Sequence, residues 1–110
     1  MEVNYLADLL RFEFPKDQFA LFGSAPLVVR GIKEGNKDLD IIVTQDLWDE
    51  IVKVYNPPTQ IALSGDLALE LTPNIEIFKT WPPFDHTDFL IKNADFFDGV
   101  RYVKLEYVLA

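Results

Sequence analysis

The chain has 110 residues, 49% of them hydrophobic, and a formal net charge of −8; that length supplies one core rather than two, and the negative field disfavours broad nucleic-acid binding unless basic residues cluster locally. With no cysteine there is no disulfide, thiolate zinc site or cysteine nucleophile, and a single histidine, His86, excludes a multi-histidine metal site. The opening MEVNYLADLL is acidic where a secretory leader is basic, and no apolar run reaches bilayer length, so the expectation is a soluble cytoplasmic protein without membrane contact.

Leu6, Leu9, Leu10 and Phe14 follow a helical period that predicts an amphipathic helix over residues 2 to 13, ended by Pro15. QFALF then reads as a short buried strand stopped by Gly23. Ser24 is placed to cap a second helix, with Pro26 in its first turn and Gly31 near its end. DLDIIV is the next strand, and Thr44 is the expected N-cap of a helix over residues 45 to 55, with Asp46 at its positive end. Leu47, Ile51, Val54 and Tyr55 would share one face of that helix, which Asn56-Pro57-Pro58 closes.

Three strand-like pieces follow, QIAL, LALEL and IEIFKTW, separated by turn signals at Ser64-Gly65-Asp66 and Thr72-Pro73-Asn74, and they read as a meander. A helix is expected over residues 85 to 93, then a hairpin in FFDGVRYV around Asp98-Gly99, and KLEYVLA begins a last helix. No repeat or linker divides the chain. The organisation is therefore α+β, one domain over residues 1 to 110, with a mixed sheet and helices mainly on one face.

The chemistry concentrates at DLDIIV. Alternate side chains of a strand share a face, so Asp38 and Asp40 point together while Leu39, Ile41 and Val43 enter the core. Two such carboxylates repel each other in a dry site, and a divalent cation relieves that repulsion. With eleven aspartates in the chain, one D-x-D arises by chance, so the context decides. Here Gly23-Ser24 opens a helix whose free N–H groups suit an anion.

Gly-Ser, a following helix and D-x-D on a strand, written FGSAPLVVRGIKEGNKDLDIIV, resemble the minimal nucleotidyltransferase fold of the DNA polymerase β superfamily, including its abortive-infection toxin-like branch. The gap between the two motifs is longer than in the short antitoxin-type members. The resemblance implies a polymerase β palm-like fold and Mg²⁺ (or Mn²⁺) bound by Asp38, Asp40 and a third carboxylate on a later neighbouring strand, which also serves as the catalytic base. Glu76, between the core residues Ile75 and Ile77, is the choice for that role, and Glu70 is its competitor. It further implies an ATP-type nucleoside triphosphate at Gly23 and Ser24, with Arg30, Lys33 and Lys37 available to its phosphates, and an acceptor of unknown identity. The rival expectation is a non-catalytic module of the same fold, such as a toxin-antitoxin component, with a protein partner or a second copy. His86 and the acidic residues Asp46, Asp49 and Glu50 read as solvated surface, and Trp48 and Trp81 as packing, with base stacking by Trp81 the alternative.

Overall fold

Phe19-Ala20-Leu21-Phe22 and Ile41-Ile42-Val43 are apolar at successive positions, so both faces of the strands they form must be covered. The computed structural model, which describes residues 2–61, 67–79 and 87–108, meets that demand. Its elements in chain order are α1 (Leu6–Leu10), β1 (Phe19–Phe22), α2 (Ala25–Val29), β2 (Leu39–Val43), α3 (Gln45–Tyr55), β3 (Thr59–Ile61), β4 (Leu67–Thr72), β5 (Ile75–Phe78), α4 (Thr87–Lys92), β6 (Asp95–Phe97), β7 (Val100–Tyr102) and α5 (Leu105–Val108).

Among the described residues the strands form one mixed sheet in the order β3-β4-β5-β2-β1-β7-β6. The meander β3-β4-β5 is antiparallel, as is β1 with β2, while β2 with β5 and β1 with β7 run parallel. One face buries Leu21, Leu39, Ile41, Val43, Ile75 and Ile77 against Leu9 of α1, Val28 of α2 and Leu47, Trp48 and Ile51 of α3. The other buries Ala20, Phe22, Ile42, Ala68 and Phe78 against Leu90 and Ile91 of α4, with Tyr107 and Val108 of α5 packed alongside. The α+β class holds; the expected one-sided helix layer gives way to two, because the central strands are apolar on both sides.

Three local differences have physical causes. The first helix is five residues long rather than twelve, because Tyr5 takes a left-handed conformation (φ 70°) at its start and Asn4 is tied to Asn36. Ser24 sits at the N-cap of α2, but its side chain makes no capping bond there. On α3 the buried stripe is Leu47, Trp48 and Ile51, whereas Val54 and Tyr55 are 59% and 44% exposed, Tyr55 turning to the rings of Phe12 and Phe14. Thr44 caps α3 as expected, accepting from the Leu47 N–H at 3.2 Å. The final hairpin turns at Asp98 (φ 52°) and Gly99 (φ 77°), the two left-handed residues that a type I′ turn requires. The expected turn at residues 64 to 66, Trp81 and His86 lie outside the described residues.

Candidate functional site

The sheet register assembles the site. In the antiparallel pair β1/β2, Phe22 lies opposite Asp40, so Gly23, one residue beyond the strand, comes against the Asp40 side chain. In the parallel pair β2/β5, Asp40 lies opposite Glu76; in β4/β5, Glu76 lies opposite Glu70. Alternation places Asp40 on the same face as Ile42, and Glu76 on the same face as Phe78. A row of carboxylates thus crosses three strands, with Glu76 adjacent to Asp40 and Glu70 one strand further away.

Gly23 makes the closest approach. Its φ of +64° favours glycine, and a Cβ there would stand 2.6 Å from Asp40 Oδ2, so the missing side chain is the space the carboxylate occupies. Burial first, then the negative charges of Glu76 and Asp38, push the Asp40 carboxyl from 3.8 up to about 6. Asp38 is exposed, just before the strand begins. Beside them lies a cavity of about 380 Å³ lined by Ser24, Lys33, Gly35, Lys37, Asp38 and Asp40.

Two further residues shape the site without having been singled out in the sequence. Buried Asn36 donates to the carbonyls of Asp38 and Asn4, both at 3.0 Å, and so fixes the loop that delivers Asp38. Gln60 of β3 donates from Nε2 to Glu76 Oε2 at 2.9 Å, holding that carboxylate from the side away from Asp40. An asparagine inside GNKD hints at such a loop-pinning role, because its side chain bonds nearby backbone readily; nothing local to Gln60 points to Glu76, sixteen residues away.

Arg30 goes elsewhere. Its guanidinium donates to Asp95 Oδ2 and to the Pro26 carbonyl, each at 2.7 Å, and lies 5.0 Å from the Phe97 ring centre. Lys104 also donates to Asp95, at 2.7 Å. The two cations hold the Asp95 carboxyl below its ordinary value and fasten α2 to the β6/β7 hairpin. The basic residues that do line the cavity are Lys33 and Lys37.

Among the described residues no three acidic, histidine or cysteine side chains are close enough together to hold a metal ion. That arrangement does not make a closed protein cage. It does fit the hard-cation habit of Mg²⁺, which is held by one or two carboxylates and completes its shell with water and substrate phosphate: Asp38 and Asp40 are oxygen donors at a cavity rim, and like charge already burdens Asp40. No family model, curated protein or solved structure matches the chain.

Proposed function

We propose that the chain is a nucleotidyltransferase-type domain that takes a nucleoside triphosphate with Mg²⁺ or Mn²⁺ into the cavity lined by Ser24, Asp38 and Asp40 and transfers its nucleotidyl group to an acceptor hydroxyl, the bond to the α-phosphorus breaking to release pyrophosphate. The observation that carries this reading is the register: Asp40 is flanked on one side by the strand that ends in Gly23 and on the other by the parallel strand bearing Glu76. A third acid on a later strand neighbouring the aspartate pair is what the resemblance to minimal nucleotidyltransferases implies.

In this reading Asp38 and Asp40 hold the cation, and Glu76, positioned by Gln60, faces the acceptor and takes its proton. Gly23 makes room for the Asp40 carboxylate beside the turn, the Ser24 hydroxyl is available to donate, and Lys33 and Lys37 balance the triphosphate charge at the cavity wall. When bound, the divalent ion supplies Lewis-acid polarisation of the phosphoryl group and a lowered acceptor pKa.

The test is thermal melting with each nucleoside triphosphate, with and without Mg²⁺ or Mn²⁺, since a ligand that binds only the folded chain raises its melting temperature. The expected result is a rise that needs nucleotide and metal together and is lost in Asp38→Asn and Asp40→Asn. No rise with any nucleotide, or one that survives both substitutions, overturns the assignment. A rise unaccompanied by transfer of α-labelled nucleotide to any product replaces the enzyme by a nucleotide-binding module of the same fold.

A further inference from the structure

A second cavity, of about 290 Å³, lies between the segment after α1 and the outer side of α3, and shares no lining residue with the one around Asp40. Three aromatic rings meet at it. Phe12 and Phe14 are stacked with centres 5.4 Å apart, and Tyr55 stands nearly perpendicular to both, at 5.4 and 6.2 Å. Glu13 between the two phenylalanines adopts φ 56°, a left-handed conformation uncommon for a glutamate, in the segment that brings both rings to the cavity. Tyr55 keeps 44% of its surface exposed, while Phe12 and Phe14 are half-buried, Phe14 against the core.

The charge lining this cavity has one sign. Glu13, Asp46 and Glu50 line the cavity, no lysine or arginine does, and none of the three carboxylates has an ion-pair partner among the described residues. Asp46 and Glu50, four residues apart on α3, project from the same side of the helix. Aromatic faces attract cations through their quadrupole, and the attraction is greatest for weakly hydrated organic cations that lose little on leaving water. A small metal ion would favour the carboxylates alone and gain nothing from the rings, whereas a neutral apolar ligand would gain nothing from the carboxylates. Both features suit one chemistry.

We propose that this cavity binds a small quaternary or alkylated ammonium compound, its cationic head against Phe12, Phe14 and Tyr55 and its charge balanced by Glu13, Asp46 and Glu50. The occupant is a free small molecule, since 290 Å³ accommodates a choline-sized ligand with room for a short substituent.

The test titrates the full-length, nitrogen-15-labelled chain with choline and, separately, with its uncharged carbon isostere dimethylbutanol, following backbone amide shifts. Choline is expected to saturate with a dissociation constant on the order of 1 mM, with shifts concentrated at residues 12 to 15 and 46 to 55. The isostere is expected to bind at least about tenfold more weakly, the difference being the cation–π and carboxylate attraction. Tyr55→Leu should weaken choline about tenfold while Tyr55→Phe retains it, and Glu50→Gln should weaken it about threefold. Equal binding of choline and its isostere overturns the proposal, as do shifts confined to other regions or no saturable binding by about 10 mM choline. Because the charged and neutral ligands are compared on the unaltered chain, the comparison is decisive even where a variant folds poorly.

Discussion

Asp40 is held where its charge is unwelcome, and the consequence is measurable in the metal-free chain. Its carboxyl titrates near 6 in the folded state against 3.8 as its ordinary value, so the native state binds the proton more tightly than the unfolded state does. The contribution to stability is therefore fully present below about pH 4 and is lost as pH rises through about 6, a difference on the order of 2 to 3 kcal/mol. Asp40→Asn, which carries no charge to desolvate, should be more stable than the parent above pH 6 in EDTA and should flatten the parent's decline between pH 4 and 6. Urea denaturation at a series of pH values checks this; parallel pH profiles for the two proteins would remove Asp40 from the unfavourable environment. Gly23 gives the complementary case. Gly23→Ala must place a Cβ where Asp40 Oδ2 lies while keeping φ +64°, and should lower stability by about 1 to 2 kcal/mol. In an Asp40→Ala background the contact is gone and only the backbone component should remain, so the two substitutions are expected to couple in a double-mutant cycle. The face that Asp40 takes was legible because a period of two is written in LDIIV itself; Asp38 precedes β2, so that period does not reach it and its placement depends on the loop. The Asn36–Asn4 and Gln60–Glu76 pairs were not legible, because only the tertiary fold brings those partners within reach.

At the level of elements, legibility followed the locality of the forces. Helix α3 is bounded as its sequence indicates, since the cap, the acidic first turn and the terminating Asn56-Pro57-Pro58 all act within a few residues. Thr44 does double duty there, accepting from the Leu47 N–H and donating its hydroxyl to Gln18 Oε1, both at 3.2 Å. Thr44→Ala is expected to lower stability by about 1 kcal/mol, and Thr44→Ser to restore most of it, in equilibrium urea unfolding. Unchanged stability in Thr44→Ala would mean that tertiary packing alone fixes the helix start. The β6/β7 hairpin was equally legible, because Asp98-Gly99 specifies its own turn type. Helix α1 was not. Its apolar period runs on past both ends, but the Asn4–Asn36 pair and the left-handed Tyr5 and Glu13 confine it, and all three are outcomes of how the chain packs rather than of helical propensity. Arg30 belongs with these cases. From sequence it joins Lys33 and Lys37 as a basic cluster, yet its partner Asp95 is sixty-five residues away.

For the whole molecule, the step that sequence periodicity cannot supply is which strands become neighbours. The parallel pairing of β2 with β5, which sets Glu76 beside Asp40, joins segments separated by a helix and two strands. The apolar alternation of each strand is compatible with several orders, because period two specifies a face and not a neighbour. The same limit applies to the last segment. The apolar residues of KLEYVLA demand a cover, but the sequence leaves open whether that is the chain's own sheet or another subunit. Tyr107 and Val108 in fact pack against the cluster of Ala20, Phe22, Ile42 and Phe78, and the Tyr107 ring meets Phe89 of α4 edge to face at 5.8 Å. These two half-buried side chains close the face opposite α3, so replacing both by alanine should reduce stability by about 2 kcal/mol, roughly half the transfer free energy of two fully buried residues. Since the lost contacts lie within one chain, the reduction should be the same at low and high protein concentration. A melting temperature that depends on concentration in the parent and loses that dependence in the double variant would instead assign α5 to an interface between copies.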